Sequence, residues 1–262
     1  MPNYGDPKYW DKRYQENQGS MFDWLEDYKS LKPLFGDILT PESKILVLGC
    51  GNAEFSEDLY DDGYHNVYNI DISSVVIEQM TERNQQRVGM IYEVMDVRDI
   101  KYPDGFFDVA IDKSTIDALL CGDNAYVNVA KMMKEVQRVL KTDGYYIAIS
   151  YGKPESRAQH FEREHLSFSM KQYILYPVEA QTEEQKEEKS HYIYLCKKLE
   201  DAESKLQNNY DKVLLEIVKQ QEEEAAAAYL GKDSDAEDVD SDNEPNKKSR
   251  KQRNPYRRAL SL

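Results

Sequence analysis

The chain has 262 residues, a formal net charge of −15 and a hydrophobic fraction of 40%. The negative charge argues against general binding to nucleic acid, and no apolar run approaches the ~20 residues that cross a membrane. The three cysteines are widely spaced, which fits a reducing compartment and neither a disulfide framework nor a metal site. These properties predict one soluble α/β domain with appendages.

The segment before the first predicted strand, residues 1–40, is rich in aromatic side chains. Asp6-Pro7 predicts the start of a helix, because proline suits the first helical position. The segment holds Tyr14 and both tryptophans, Trp10 and Trp24. Two interpretations are open at this point. The segment is either a helix packed against a sheet or a lid whose aromatic rings cover a ligand.

The next stretch combines a strand, a glycine turn, a helix and a second strand. Residues 45–48 are a short apolar run typical of a strand buried on both faces, and Gly49-Cys50-Gly51 ends it. A helical segment follows, and a second apolar run, residues 67–70, stops at Asp71. This order of elements is half of a doubly wound nucleotide site.

Each part of this unit has a physical task. Gly49 and Gly51 let the backbone approach a ligand closely, and Asp71 can accept hydrogen bonds from both hydroxyls of a ribose. The dinucleotide fingerprint would have a third glycine where Glu54 stands, and a carboxylate there is unfavourable beneath a pyrophosphate. The unit therefore favours a nucleoside without phosphates, which points to S-adenosylmethionine (SAM). The alternative is a tight strand-to-helix turn with no ligand.

Three further strands are predicted at residues 90–95, 106–111 and 145–150, with helices between them. Asp96 and Asp112 directly follow the first two of these strands. Because strand and helix alternate, the fold class is α/β, with a doubly wound, mostly parallel sheet. The ligand of such a sheet lies at the carboxyl ends of its strands.

The last part of the chain changes in character. Residues 151–166 are predicted to form a loop, and strands six and seven are predicted at 167–175 and 191–197, which makes the sheet seven-stranded. An amphipathic helix is expected next, either docked on the domain or paired with a partner's helix. An acidic and then basic tail without an aliphatic pattern is predicted to be disordered. The predicted divisions are a domain at 1–199, a helical extension at 200–231 and a tail at 232–262.

Four motifs give the chain a family likeness: Tyr9-Trp10-Asp11-Lys12-Arg13-Tyr14, Leu48-Gly49-Cys50-Gly51-Asn52, Met95-Asp96-Val97-Arg98, and the run from Asp112 to Leu119. With them the chain resembles the class I, Rossmann-like SAM-dependent methyltransferases. More narrowly, it is similar to the protein-lysine methyltransferases that modify translation elongation factor 1-alpha (eEF1A). The likeness covers residues 4–199. One departure is Ser114, where that group usually has glycine.

The resemblance implies a role for each cofactor-binding position. Trp10, Tyr14 and Trp24 would close over SAM, Gly49 would lie beneath it, Asp71 and Ile72 would hold the ribose, Asp96 and Val97 the adenine, and Lys113 would contact the cofactor. Asp112 would lie near the methyl donor, where its carboxylate orients the acceptor amine or helps to remove its proton. The alternative for Asp112 is a cap of the next helix or an ion pair with Lys113.

The likeness predicts a protein-lysine N-methyltransferase, with SAM as its cofactor and eEF1A as a protein substrate. Two alternatives stay open. One is a methyltransferase for a small molecule or another protein side chain, and the other is a non-catalytic SAM-binding scaffold that acts through residues 200–231. We expect the protein in the cytoplasm, and the basic block at 247–253 would suit an additional nuclear address.

Overall fold

The computed structural model describes residue 4, residues 6–177, residue 182 and residues 189–234, with side chains up to residue 226. In chain order the elements are α1 (Pro7–Glu16), α2 (Tyr28–Phe35), β1 (Ile45–Leu48), α3 (Phe55–Asp61), β2 (Val67–Asp71), α4 (Ser74–Arg83), β3 (Met90–Val94), β4 (Phe107–Lys113), α5 (Thr115–Leu120), α6 (Ala125–Val139), β5 (Leu140–Ser150), α7 (Pro154–Phe161), β6 (Phe168–Leu175), β7 (His191–Lys198) and α8 (Ala202–Ser234). Within these residues no helix is long and apolar enough to cross a membrane.

Seven strands of the described chain form one sheet, in the order β3-β2-β1-β4-β5-β7-β6. The pairs among β1 to β5 are parallel, and β7 runs antiparallel to both β5 and β6. The doubly wound, mostly parallel sheet is therefore confirmed. Since β1 pairs with both β2 and β4, the carboxyl ends of these three strands meet at one edge of the sheet.

Helices cover both faces of the sheet. The first core layer packs α5, α6 and α7 against one face. It contains an apolar stripe of α6, Val129, Met132, Met133 and Val136, together with Leu140 at the start of β5. The second layer packs α2 and α3 against the other face through side chains such as Leu31, Phe35, Phe55 and Leu59. Both layers are needed because the parallel strands are buried on both sides. The resulting frame fixes the edge where the strands end.

The aromatic N-terminal segment is a helix that packs on the sheet domain. Asp6 caps α1 by accepting a hydrogen bond from the backbone N–H of Lys8 at 3.0 Å. Tyr14 of α1 packs against the apolar face of α4, and the hydroxyl of Ser73 donates to Asp11 at 2.6 Å. Ser73 also caps α4. Helix α1 is thereby held beside the start of α4, next to the carboxyl end of β2.

The C-terminal part corrects the expectation for residues 151–166. The predicted loop contains helix α7, with Pro154 at its first position. His160 and His165 of this segment are buried. Helix α8 docks on α6 through a small apolar cluster that includes Val213 and Ile217. Of the predicted tail, residues 232–234 belong to α8, and residues 235–262 lie outside the described residues.

Candidate cofactor pocket at the carboxyl edge of the sheet

A pocket of about 700 Å³, including its open mouth, lies where the carboxyl ends of β1, β2, β3 and β4 meet. Its lining is mostly apolar and aromatic with a few convergent polar groups, which is typical of a small-molecule site. It brings together all ten predicted cofactor-binding residues: Trp10, Tyr14, Trp24, Gly49, Gly51, Asp71, Ile72, Asp96, Val97 and Lys113. Seven further residues line the pocket without a predicted role: Tyr4, Met95, Arg98, Ser114, Thr115, Ala118 and Leu119. Most of these seven lie inside the four motifs quoted above, so the motifs could have predicted them as pocket residues.

The glycine turn after β1 forms part of the pocket wall. Gly49 has φ of +58°, and a Cβ at this position would lie 2.3 Å from Oγ1 of Thr115. That hydroxyl donates to the carbonyl of Leu48 at 2.8 Å, which fixes it beneath the turn. Gly51 has φ of +56°, and its Cβ would lie 3.0 Å from the Tyr14 hydroxyl. Gly49 therefore requires glycine for backbone conformation and for space, and Gly51 requires it for its positive φ.

Asp71 presents a buried carboxylate to the pocket. Its two oxygens accept hydrogen bonds from the backbone N–H of Gly51 at 3.0 Å and of Ser73 at 2.9 Å. Burial raises the pKa of Asp71 to about 6, although these hydrogen bonds oppose the shift. A carboxylate has about four acceptor positions, so capacity remains for the two hydroxyls of a ribose. This geometry agrees with the predicted role.

Asp96 lies at the other end of the pocket and is held by Arg98. The guanidinium of Arg98 donates to both carboxylate oxygens, with Nη2 2.7 Å from Oδ2, and its Nη1 donates to Asn128 at 3.1 Å. Burial disfavours the charged carboxylate, but the hydrogen bonds from Arg98 outweigh it and lower the pKa of Asp96. With Met95 and Val97 as apolar walls, this end fits a flat base that carries an amino group.

Aromatic side chains from the N-terminal segment form the opposite wall. The indole N–H of Trp10 donates to the carbonyl of Tyr4 at 2.7 Å, and its ring stacks on Tyr14 with centroids 6.1 Å apart. Trp24 contacts Phe22 edge to face at 4.7 Å. The interpretation of a packed helix is therefore confirmed, since α1 packs on α4. Its rings also line the pocket, and their role as a lid over a bound ligand stays a prediction.

Lys113 fastens the segment around Trp24 to the end of β4. Its Nζ donates to the carbonyl of Trp24 at 2.8 Å and forms an ion pair with Asp23. Burial lowers the pKa of Lys113 to about 7, whereas the contact with the Asp23 carboxylate favours the charged form. Lys113 thus lines the pocket, as predicted, and also joins two parts of its wall.

The structure does not bring Asp112 to the pocket, which corrects its predicted catalytic role. Asp112 is fully buried, and it accepts hydrogen bonds from the backbone N–H of Thr115 at 2.7 Å, from that of Ile116 and from the hydroxyl of Tyr146 at 2.8 Å. Successive side chains of a strand alternate between faces, so Lys113 reaches the pocket and Asp112 does not. Asp112 instead caps α5, which is the alternative given for it above.

Ser114 adopts the left-handed conformation, with φ of +71°, at the start of α5. The glycine usual at this position would meet that requirement without strain. Serine at this φ carries backbone strain that glycine would not. The turn places Ser114 and Thr115 on the pocket wall directly after Lys113.

The pocket matches the chemistry of SAM. It has an acid suited to a ribose diol, a polar and apolar end suited to adenine, and a glycine turn that admits close approach. The described residues contain no cluster of side chains that could hold a metal ion. When bound, SAM supplies an electrophilic methyl group, so the protein's task is to bind it, orient it and exclude water.

Comparisons with known proteins agree with this assignment. A family described as "Methyltransferase domain" matches residues 46–148. Mouse EEF1A lysine methyltransferase 4 is 34% identical over 177 residues, which are 64% of this chain and 69% of the relative. Mouse eEF1A lysine and N-terminal methyltransferase is 40% identical over 167 residues, 62% of this chain. The chain spans only 24% of the length of that longer relative.

Solved structures share the fold at low sequence identity. Geranyl diphosphate C-methyltransferase from Streptomyces coelicolor A3(2) aligns with a TM-score of 0.53 and 14% identity, over 76% of this chain and 99% of that one. The [4+2]-cyclase SpnF aligns with a TM-score of 0.55 and 13% identity, over 76% and 97% of the two chains. Fold alone therefore leaves the reaction open.

The sheet topology, the pocket and the match to a methyltransferase domain over residues 46–148 agree on the class, a Rossmann-like SAM-dependent methyltransferase. Sequence relatives narrow it further. With 34% identity to a protein of which it covers 69%, the chain belongs to the family of EEF1A lysine methyltransferase 4.

Proposed function

We propose that the protein transfers a methyl group from SAM to the side-chain amine of a lysine in a protein substrate, and that this substrate is eEF1A. The observation that carries the proposal is the pocket, in which the ten predicted cofactor contacts surround one cavity. The relatives named for eEF1A lysine methylation support the choice of acceptor. Such a substrate places the activity in the cytoplasm, where translation occurs.

The proposed transfer depends on alignment of the reacting atoms and on exclusion of water more than on a base supplied by the protein. The lysine amine attacks the methyl carbon as the bond from that carbon to sulfur breaks, and the sulfonium leaves as a neutral thioether. The aromatic wall of Trp10, Tyr14 and Trp24 keeps water from this step. An apolar surrounding also lowers the pKa of the entering ammonium, which favours the neutral, nucleophilic amine. The amine's proton goes to solvent, since Asp112 is buried away from the pocket.

The test is methyl transfer to purified, unmodified eEF1A with radiolabelled SAM, followed by mass spectrometry of its peptides. Wild-type protein should label one or more lysines, and Asp71→Ala should not. Asp61→Ala is the matched control, because Asp61 is an exposed carboxylate on α3 that pairs with Arg87. Labelling confined to another residue type, to a small molecule or to nothing would reject the proposal.

A further inference from the structure

Arg13 lies in the first motif, and neither the fold nor the ten cofactor contacts account for it. Its guanidinium carbon is 5.2 Å from the ring centroid of Trp24, 5.8 Å from that of Trp10 and 6.0 Å from that of Phe22. Arg13 is half-buried, and no carboxylate of the described residues pairs with it. By contrast, the neighbouring Lys12 is exposed and pairs with Glu16.

A cavity opens in front of this guanidinium. It measures about 580 Å³ and is lined by Arg13 together with Tyr14, Trp24 and Asn52. A second cavity of about 350 Å³ follows the glycine turn and shares Trp24 and Asn52 with the first. Both share Trp24 with the cofactor pocket. The three spaces therefore adjoin one another around a single indole ring.

The orientation of SAM in the pocket determines which part of the cofactor lies near Arg13. The adenine belongs to the end at Asp96 and the ribose to Asp71, so the methionine part extends past Gly49 and Gly51 towards Trp24. That part of SAM carries a carboxylate. We propose that Arg13 binds the carboxylate of SAM and forms the outermost subsite of the cofactor pocket. The inference rests on SAM being the cofactor in the proposed function.

The surroundings of Arg13 suit such a role. Three aromatic rings attract the cation and restrict its position, so little freedom is lost when a ligand binds. A guanidinium presents two parallel N–H donors that match a carboxylate, and charge-assisted hydrogen bonds of this kind are stronger than neutral ones. No carboxylate of the described residues pairs with Arg13, although the protein is acidic. The carboxylate of SAM would be that partner.

The experiment compares two ligands that differ at this end. S-adenosylhomocysteine (SAH) keeps the carboxylate, whereas 5′-methylthioadenosine lacks the whole aminocarboxypropyl group. Calorimetric titration should show that Arg13→Met weakens SAH binding about 10- to 100-fold and changes 5′-methylthioadenosine binding by less than about twofold. Arg13→Lys keeps the charge and should lose SAH affinity less. Lys12→Met, which removes a neighbouring exposed charge, should change neither ligand.

The comparison of ligands separates binding from support of the aromatic wall. Equal losses for both ligands in Arg13→Met would overturn the inference, because Arg13 would then only hold Trp10 and Trp24 in place. Unchanged SAH affinity in a folded Arg13→Met protein would overturn it as well. Failure of the wild-type protein to bind SAH would reject the proposed function itself, and the inference with it.

Discussion

The ends of β2 and β4 each carry an aspartate, and the two aspartates have different tasks. Asp71, the last residue of β2, faces the cofactor pocket with acceptor capacity to spare. Asp112, one residue before the end of β4, is fully buried and bonded to Tyr146 and to the first turn of α5. Location at the carboxyl edge of a parallel sheet therefore places a residue near the site. The direction of its side chain decides whether it meets the ligand.

The end of β4 contributes to the pocket through the residues that Asp112 positions. Asp112 accepts from the backbone of Thr115, and Thr115 lies directly beneath Gly49. Lys113 and Ser114 line the pocket on the same turn. One strand end thus offers an acid to the ligand, and the other uses an acid to build the wall.

The largest expected effect on stability is that of Gly49→Ala, which tests the packing between the two strand ends. The new methyl group would meet Thr115, at a position with φ of +58°. Left-handed strain and overpacking together should destabilise the protein by about 2–5 kcal/mol, measured by urea unfolding. The double variant Gly49→Ala, Thr115→Ala should recover only the part of the lost stability that comes from overpacking. A single variant as stable as wild type would show that the turn is not tightly packed.

Trp10→Ala tests the aromatic wall that faces Asp71. Loss of its ring should weaken SAH binding by about tenfold, or ~1.4 kcal/mol, in a protein that stays folded. Tyr9→Ala is the matched control, since Tyr9 contacts Trp10 edge to face at 5.2 Å but does not line the pocket. A Trp10→Ala protein that melts far lower but binds SAH normally would assign the ring to core packing alone.

Asp112→Asn tests whether the second acid is structural. Burial, with the nearby charge of Asp117, raises the pKa of Asp112 to about 7, above the ~3.9 of an unfolded chain. Between these values the folded state binds the extra proton, so the contribution of Asp112 to stability is lost as pH rises towards 7. The melting temperature of wild type relative to Asp112→Asn should therefore fall from about pH 4 to pH 7 and then level off. A difference independent of pH would contradict the buried placement.

The smallest expected effect is that of Ser114→Gly, at the turn that follows β4. Glycine relieves the left-handed strain but adds freedom to the unfolded chain, so the net gain should be below about 1 kcal/mol. Asn124→Gly is a useful control, because asparagine tolerates its φ of +53° better than serine tolerates +71°. SAH affinity should not change. A lower melting temperature for Ser114→Gly would mean that the serine side chain contributes to packing.

Sequence reasoning succeeded where the determinants are local. The apolar runs that end in a glycine turn or an acid identified β1 to β4, and the four motifs contain seven of the ten predicted pocket residues. These signals work because a short buried strand and the residue at its end are specified by a few neighbouring positions. The departure from glycine at Ser114 also marked a position whose φ is +71°.

It failed where distant parts of the chain decide the outcome. Asp112 is directed away from the pocket, to Tyr146, which follows it by 34 residues, and no local pattern shows that pairing. The sequence predicts a loop at 151–166, yet this segment contains α7, whose His160 and Phe161 are buried in the fold. The burial of these side chains depends on tertiary packing, which overrides local propensity.

The most direct test of the account is a calorimetric titration of SAM into wild-type protein, Asp71→Ala and Asp112→Asn. Asp71→Ala removes two hydrogen bonds to a charged acceptor, each of about 1.5–3 kcal/mol, so its affinity should fall by more than about 100-fold. Asp112→Asn should bind SAM within a few-fold of wild type. Equal affinity of wild type and folded Asp71→Ala, or loss of binding in folded Asp112→Asn alone, would contradict the division of tasks between the two strand ends.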